Sequence, residues 1–309
     1  MIEDLLRRSA ADDDVAAEQL ASTDPSSLTP HHGLMLDLGL LWPARLYRAA
    51  DAATIDRVVA EIDAGQEHLR LNRLLLILAH SGHPHAEQAF RRWSAQPPPG
   101  ADELHVPPLA YTREGGWTID PGGARRDLCA DTAFELGLAD GAPSGKTCPW
   151  CSSPMWVAAD LPAETVATTL PHTGWQGRLV FETCHFCACY ETLFSRVTPD
   201  GGAQWWPGNT KPHYLPDNPE PEDPPTVRAA IGPRRESPFL ISAWNSGGSA
   251  LGGHPDWIQD AEHPDCPGCG TAMHYAGLIS GADIDDGEGA YYLHIHAPCE
   301  FAAVNYQQS

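Results

Sequence analysis

Apolar side chains in the first hundred residues recur at the spacing of helix faces. Those between residues 55 and 62 lie at i, i+3, i+4 and i+7, which predicts an amphipathic helix that Thr54 helps to cap. Residues 69–80 are so rich in leucine that they predict a helix buried on most sides, ended by Ser81 and Gly82, and a third helix follows. Consecutive helices with short turns predict a helical region over residues 1–100, arranged as a HEAT-like stack or as a plain helical bundle.

The periodicity changes after the PPPG sequence at residues 97–100. A strand is predicted around residues 116–120 and a short helix around residues 127–138. Nine prolines between residues 207 and 238 predict an extended linker, because proline is excluded from central strands and helix interiors. Alternating runs such as residues 291–296 (YYLHIH) predict a small β-rich domain at the end of the chain.

Composition and charge narrow the class of protein. The 309 residues carry a net charge of −22, so no basic face is left for a phosphate backbone, and nucleic-acid binding is not expected. The longest apolar run, residues 74–79, is far shorter than the ~20 residues of a membrane span. The first residues are acidic and lack the apolar core of a signal peptide. We therefore expect a soluble, cytoplasmic protein that does not bind membranes.

Cysteine spacing is the strongest chemical signal in the chain. Six of the nine cysteines form three C-x-x-C pairs, at residues 148/151, 184/187 and 266/269. Disulfides are rare in the cytoplasm, and an odd number of cysteines also argues against a disulfide framework. Two pairs share the phrase C-P-x-C-(S/G)-x-x-M, which is typical of a zinc knuckle. The spacing therefore predicts metal sites.

The first predicted site uses two C-x-x-C pairs. Zinc takes four ligands at the corners of a tetrahedron, and one tight turn presents two thiolates to the same ion. The predicted ligands of this zinc ribbon are Cys148, Cys151, Cys184 and Cys187. The alternatives are a redox pair or buried thiols, and the turn and strand residues after each knuckle argue against the redox pair. Cys189 is either a substitute ligand or, as we expect, a buried thiol.

The second predicted site combines the last knuckle with an H-x-x-C pair. Its predicted ligands are Cys266, Cys269, His296 and Cys299. His294 lies two residues before His296 on the same strand face and is the rival ligand, whereas His263 and His274 are expected at the surface. Both sites are filled by protein ligands, so we predict two structural zinc ions, no catalytic residues and no other cofactor.

These residues predict an α+β protein in four segments. They are a helical region at 1–100, a zinc-ribbon domain at 101–206, a proline-rich linker at 207–238 and a small zinc-bearing β domain at 239–309.

The C-terminal segment contains three phrases in a fixed order: LGGHPDWIQ at residues 251–259, the knuckle CPGCGTAM and the later GEGAYYLHIHAPC. In these phrases and their order it resembles the YwqG-like family of bacterial proteins. The departure is His296, where the family pattern has a cysteine. A looser likeness extends to the programmed cell death protein two family, whose members look like dedicated chaperones of a ribosomal protein. Since some YwqG-like proteins are encoded beside toxin genes, these resemblances imply a protein-binding role.

Three functions follow as hypotheses. The first is a non-enzymatic zinc-binding protein that binds a basic protein partner, as an immunity-type inhibitor or a client-specific chaperone. Toxin nucleases and ribosomal proteins are basic, so a strongly acidic partner is steered towards them. The alternative is a zinc-dependent hydrolase with an open C-terminal metal site, using His294, His296 and nearby acids. A zinc-ribbon module that binds nucleic acid is disfavoured by the acidic composition.

Overall fold

A computed structural model describes residues 2–120, 122–141, 143–216, 223–239, 241–285 and 287–309. The chain forms two compact units, Met1–Asp127 and Leu128–Ser309. The first unit is mainly helical and the second is built mainly from strands. The predicted mixture of α and β structure is therefore confirmed.

The first unit contains α-helices that are joined by 3-10 turns, and it also contains one short pair of strands. The helices are α1 (Ile2–Ser9), α2 (Asp14–Ala21), α3 (His32–Asp37), α4 (Ala52–Asp63), α5 (His68–Ser81) and α6 (Pro84–Ala95). Strands β1 (Trp117–Ile119) and β2 (Arg125–Asp127) form an antiparallel pair.

The three helices predicted from apolar spacing are α4, α5 and α6. Asp51, rather than Thr54, caps α4, because its carboxylate accepts the N–H of Thr54 at 2.9 Å. Gly82 ends α5 with a φ of +55°, the left-handed conformation that glycine adopts without strain.

The core of this unit extends beyond its helices. Tyr111 and Trp117, in the segment expected to belong to the zinc-ribbon domain, are buried in the helical core, and the Trp117 indole N–H donates to the carbonyl of Ala79 at 2.8 Å. Residues 101–127 therefore complete the first unit.

The second unit is organised around one ten-stranded sheet. Its strands are β3 (Ala133–Asp140), β4 (Trp156–Leu161), β5 (Leu179–Thr183), β6 (Leu193–Val197), β7 (Ala203–Trp205), β8 (Val227–Arg234), β9 (Ala250–Gly252), β10 (His274–Ser280), β11 (Ala290–His296) and β12 (Phe301–Gln307). Their spatial order is β5-β4-β8-β3-β9-β10-β11-β12-β6-β7. The β4–β8 pair is parallel, and the other neighbours are antiparallel. The unit also contains two short helices, α7 (Ala163–Thr169) and α8 (Gly281–Asp285).

The two edges of this sheet approach each other. Just before β5, the N–H of Arg178 donates to the carbonyl of Pro199 at 2.9 Å. The ammonium group of Lys146 contacts a carboxylate oxygen of Glu182 on β5 at 2.8 Å and the carbonyl of Ala203 on β7 at 2.7 Å. The sheet is therefore nearly closed.

Two local expectations differ from the structure. The short helix predicted around residues 127–138 is instead strand β3, in which Phe134, Leu136 and Leu138 alternate with smaller or polar residues. Period-two alternation and pairing with β8 and β9 favour the strand. Strand β8 lies within the proline-rich segment 207–238, where Pro233 falls next to its last residue. Residues 217–222 of that segment lie outside the described residues.

No helix in the described part of the chain has both the length and the apolar character needed to cross a bilayer.

Candidate metal centres

The four cysteines of the first predicted site come together at one point of the second unit. Their sulfur atoms all lie within 4.8 Å of one another, and all four residues are buried. The sulfurs of Cys148 and Cys187 are 3.7 Å apart, and those of Cys151 and Cys184 are 3.4 Å apart. A tetrahedral zinc ion with bonds of ~2.3 Å separates its sulfur ligands by about 3.8 Å. The group therefore has the size of a four-thiolate metal site.

Backbone N–H groups support two of these sulfurs. The N–H of Trp150 points to the sulfur of Cys148, and that of Cys187 points to the sulfur of Cys184, both at 3.4 Å. Such donors stabilise negative charge on sulfur, which is the form that binds metal.

Three of these buried thiols influence one another's ionisation. Side-chain hydrogen bonds with Cys184 and then Cys187 lower the pKa of Cys148, and the contacts with Cys148 raise the pKa of Cys184 and Cys187. One thiolate in this group therefore opposes the ionisation of its neighbours. A bound cation compensates this repulsion, so the burial of four sulfurs favours metal binding.

The second predicted group also assembles. Its ligand atoms lie within 4.8 Å of one another and belong to Cys266, Cys269, His296 and Cys299. The sulfur of Cys269 is 3.8 Å from Nδ1 and 3.9 Å from Nε2 of His296, so either ring nitrogen can face the centre. No further group of three or more metal-ligating side chains of this kind occurs among the described residues.

The two groups differ in exposure. All four members of the first are buried, whereas Cys269 is exposed and Cys299 is half-buried. Gly268 leaves room beside Cys299, since a Cβ at residue 268 would lie 3.3 Å from the Cys299 Cβ and 3.2 Å from the Phe301 ring. The guanidinium of Arg196 lies 4.0 Å from the centre of that ring and donates to the carbonyl of Cys299 at 2.9 Å.

His294, the rival ligand, lies outside the second group. Its Nε2–H donates to the side-chain oxygen of Asn305 at 3.0 Å, and the Asn305 amide donates to a carboxylate oxygen of Glu262 at 2.8 Å. Burial lowers the pKa of His294 to about 3, so the imidazole stays neutral. His263 and His274, expected at the surface, are also buried: the His263 ring contacts the rings of Trp257 and His294, and the His274 ring contacts that of His172.

The remaining cysteines, Cys129 and Cys189, lie outside both groups. Cys129 is buried beside Ala133 and Tyr275. The buried position predicted for Cys189 is wrong: it is exposed at the end of the 3-10 turn after Cys187. The 3-10 turn directs the Cys189 sulfur away from the group, where it donates to the carbonyl of His185 at 3.5 Å.

The backbone of the two knuckles is nearly identical. In each, the N–H of the first cysteine, Cys148 or Cys266, donates to the carbonyl five residues later at 2.8 Å. The N–H of the following methionine, Met155 or Met273, donates to the carbonyl two residues before that cysteine, at 2.9 and 2.8 Å. The shared phrase in the sequence thus corresponds to a shared structure.

The likeness continues beyond the knuckles. Each is followed by a strand, a short helix, a second strand, the second ligand pair and a third strand. These elements are β4, α7, β5 and β6 in the first copy and β10, α8, β11 and β12 in the second. The second unit therefore contains an internal repeat, and His296 occupies the place that Cys184 has in the first copy. The shared knuckle phrase in the sequence indicated metal binding, and the repeat of elements around it was not predicted.

Comparison with known proteins gives one informative match. The chain is 29% identical over 298 residues to the uncharacterized protein YpfL of Salmonella typhimurium. The alignment covers 88% of this chain and 66% of YpfL, so the chain spans about two thirds of that relative's length. No protein-family model and no solved structure matches. The chemistry of the two groups therefore rests on their own geometry.

That geometry permits metal binding at both positions. Each offers four ligand atoms of the soft or borderline type, three or four of them sulfur, and both ligand sets are drawn from a knuckle and from the end of a strand. The structure therefore has two clusters that can hold metal ions.

Proposed function

We propose that the protein binds two zinc ions that hold the second unit together. Zinc prefers tetrahedral sites made of thiolate and imidazole, which both groups supply. In this proposal the first group is a zinc ribbon with four cysteine ligands, and the second is a site with three cysteines and His296.

The complete ligand set of each group is the observation that supports a structural role for the metal ions. A catalytic zinc keeps one position open for water or substrate, whereas four protein ligands close the coordination sphere. Metal binding then contributes directly to the free energy of folding. We therefore propose a binding protein rather than an enzyme.

We further propose that the partner is a basic protein, bound in the manner of an immunity-type inhibitor or a client-specific chaperone. The net charge of −22 supports this choice, since it attracts basic surfaces and repels nucleic acid. The resemblance of residues 251–299 to the YwqG-like family supports a protein-binding role.

We propose that the consecutive helices of the first unit act as a HEAT-like surface for that partner. We also propose that the protein works in the cytoplasm.

Capture of partners from the native host tests this role. Tagged protein should retain one basic protein in stoichiometric amount at low salt and lose it at high salt, because screening weakens the attraction. The captured protein is then identified by mass spectrometry, purified and mixed with the tagged protein to measure the affinity. If no protein is enriched at either salt concentration, the binding role is rejected.

A zinc-dependent hydrolase is the second candidate, and the exposure of Cys269 together with the partial exposure of Cys299 favours it. A ligand at the surface can leave the metal and open a position for water. The Cys299→Ala variant separates the two functions. A structural site should lose its metal and its folded state together, whereas a catalytic site should lose hydrolysis of test esters while the fold persists.

A further inference from the structure

The first unit has a small apolar groove on its surface. We call it the Trp42 groove; its lining residues include Leu20, Met35, Leu40, Trp42 and Leu46. Trp42 is 62% exposed, although most large aromatic residues of this unit are buried. An exposed tryptophan beside an apolar depression is a typical anchor of a protein interface.

The chain around this groove is acidic. Residues 9–44 supply most of its lining and contain six carboxylates and no lysine or arginine. Asp14 and Glu18 are exposed on α2, the helix that presents Ala17 and Leu20 to the groove. Among the described residues neither carboxylate forms a salt bridge.

Two basic side chains next in sequence to lining residues Ser9 and Leu46 are already engaged. Arg8 pairs with Asp13 at 2.6 Å, and Arg45 donates to the carbonyl of Ala21 at the end of α2 at 3.4 Å. Within residues 9–44, which supply most of the lining, every formally charged side chain is a carboxylate.

We propose that the Trp42 groove binds a basic segment of a protein partner, with an apolar side chain of that segment held against Trp42. This proposal rests on the proposed function and gives the partner a binding place. Charge complementarity selects the occupant, because the acidic rim repels both anionic lipid and a second copy of this chain and attracts lysine and arginine. Because the lining is apolar, the bound segment needs an apolar side chain that packs against it as well as positive charge.

Fluorescence anisotropy with labelled peptides tests this groove in the full-length protein. The probe is an amphipathic peptide of lysine and leucine, compared with a peptide in which serine replaces leucine and one in which glutamate replaces lysine. The lysine–leucine peptide should bind, and more weakly as salt rises. Trp42→Ala should weaken its binding at least about tenfold, as expected for loss of an interface anchor.

Matched variants locate the effect. The pair Asp14→Asn and Glu18→Gln should weaken binding by about two- to fivefold, the size expected for charges at an interface rim. Leu69→Ala removes a leucine of the same unit that is 55% exposed, and Asp102→Asn with Glu103→Gln removes two exposed carboxylates elsewhere in it. Both controls should bind the peptide like the natural protein.

The groove assignment is overturned by any of three results. The first is a Trp42→Ala variant that binds the lysine–leucine peptide as tightly as the natural protein does. The second is a glutamate or serine peptide that binds as tightly as the lysine–leucine peptide. The third is a dimer in sedimentation that Trp42→Ala abolishes, which would make a second copy the occupant. These results are distinct from failure of the proposed function. A host partner that still binds the Trp42→Ala protein rejects the groove alone, whereas absence of any captured partner rejects the function.

Discussion

Ser152 and Gly270 occupy the same position in the two knuckles, with φ angles of +64° and +71°. Each donates its N–H to the carbonyl of the first cysteine of its knuckle, at 2.9 Å in the first and 2.7 Å in the second. Glycine adopts this left-handed conformation freely, and serine does not. The turn that presents the sulfurs therefore imposes the same backbone on two different side chains.

Substitutions at Gly270 and at Ser152 should change the free energy of unfolding in different ways. Gly270→Ala should lower the free energy of unfolding by about 1 kcal/mol, because the left-handed conformation strains any residue with a Cβ. A Cβ at this position meets nothing within 4 Å, so the effect reports the backbone alone. Ser152→Gly should be neutral or stabilising. Chemical denaturation of the metal-loaded protein measures both, and a destabilised Ser152→Gly together with an unchanged Gly270→Ala would contradict this account.

Elemental analysis of the purified protein should find two zinc ions per chain. Cys148→Ser should leave at most one, and the second unit should lose its cooperative unfolding, since metal binding and folding of such sites are coupled. Cys189→Ser is the matched control: it removes a cysteine close to Cys187 that belongs to neither group, so both ions and the fold should be kept. Retention of both ions by Cys148→Ser would exclude it as a ligand.

Removal of metal by a chelator should occur in two steps. The second group should release its ion first, because Cys269 is exposed and Cys299 is half-buried, whereas the first group is buried throughout. A chromophoric zinc chelator added to the native protein records the two phases. His296→Cys restores the ligand found at the equivalent position of the first copy and should slow the fast phase, since a fourth thiolate strengthens the site. A single phase for both ions would show that exposure does not govern release.

The helical unit should lose stability as the pH falls below about 6.5. Burial lowers the pKa of His32 and lowers that of His80 well below its ordinary value of 6.5. The unfolded chain therefore binds more protons than the folded one in this range, so acid favours unfolding. Hydrogen exchange of peptides from residues 2–120, corrected for the intrinsic rate at each pH, measures this unit separately from the metal groups.

His32→Phe should flatten that pH dependence. The phenyl ring keeps the stacking on Tyr47 but cannot take up a proton, while it loses the hydrogen bond to the Leu46 carbonyl. The free energy of opening should then be lower at neutral pH and change less between pH 7.5 and 5.5. His105→Gln, which replaces an exposed histidine of the same unit, should leave the slope unchanged. An unaltered slope in His32→Phe would assign the effect to other groups.

Local patterns were sufficient to predict much of this fold. The three central helices were predicted because their apolar spacing agrees with the way α4, α5 and α6 pack. The assembly of the eight candidate ligands follows from C-x-x-C spacing, since two residues between ligands suit one turn. His296 and His294 were harder to distinguish, because the choice depends on Asn305, a partner on the neighbouring strand.

Long-range pairing accounts for most of what was missed. Strand β8 forms in a proline-rich segment because β3 and β4 lie on either side of it, and neither is close in sequence. Strand β3 is short of strong strand formers, and its place between β8 and β9 decides its conformation. Outside the knuckles, the sequence counterpart of this repeat is the second ligand pair, in which Cys187 and Cys299 correspond.

The pairing of β6 with β12 has a consequence for synthesis of the chain. Residues 193–197 leave the ribosome about a hundred residues before their sheet neighbour, Phe301–Gln307, whereas the first cysteine group is complete once Cys187 has emerged. Contacts so distant along the chain form slowly. Translation therefore exposes one edge of β6 for as long as the second copy is being made, and during this interval the nascent protein is open to mispairing or to a chaperone.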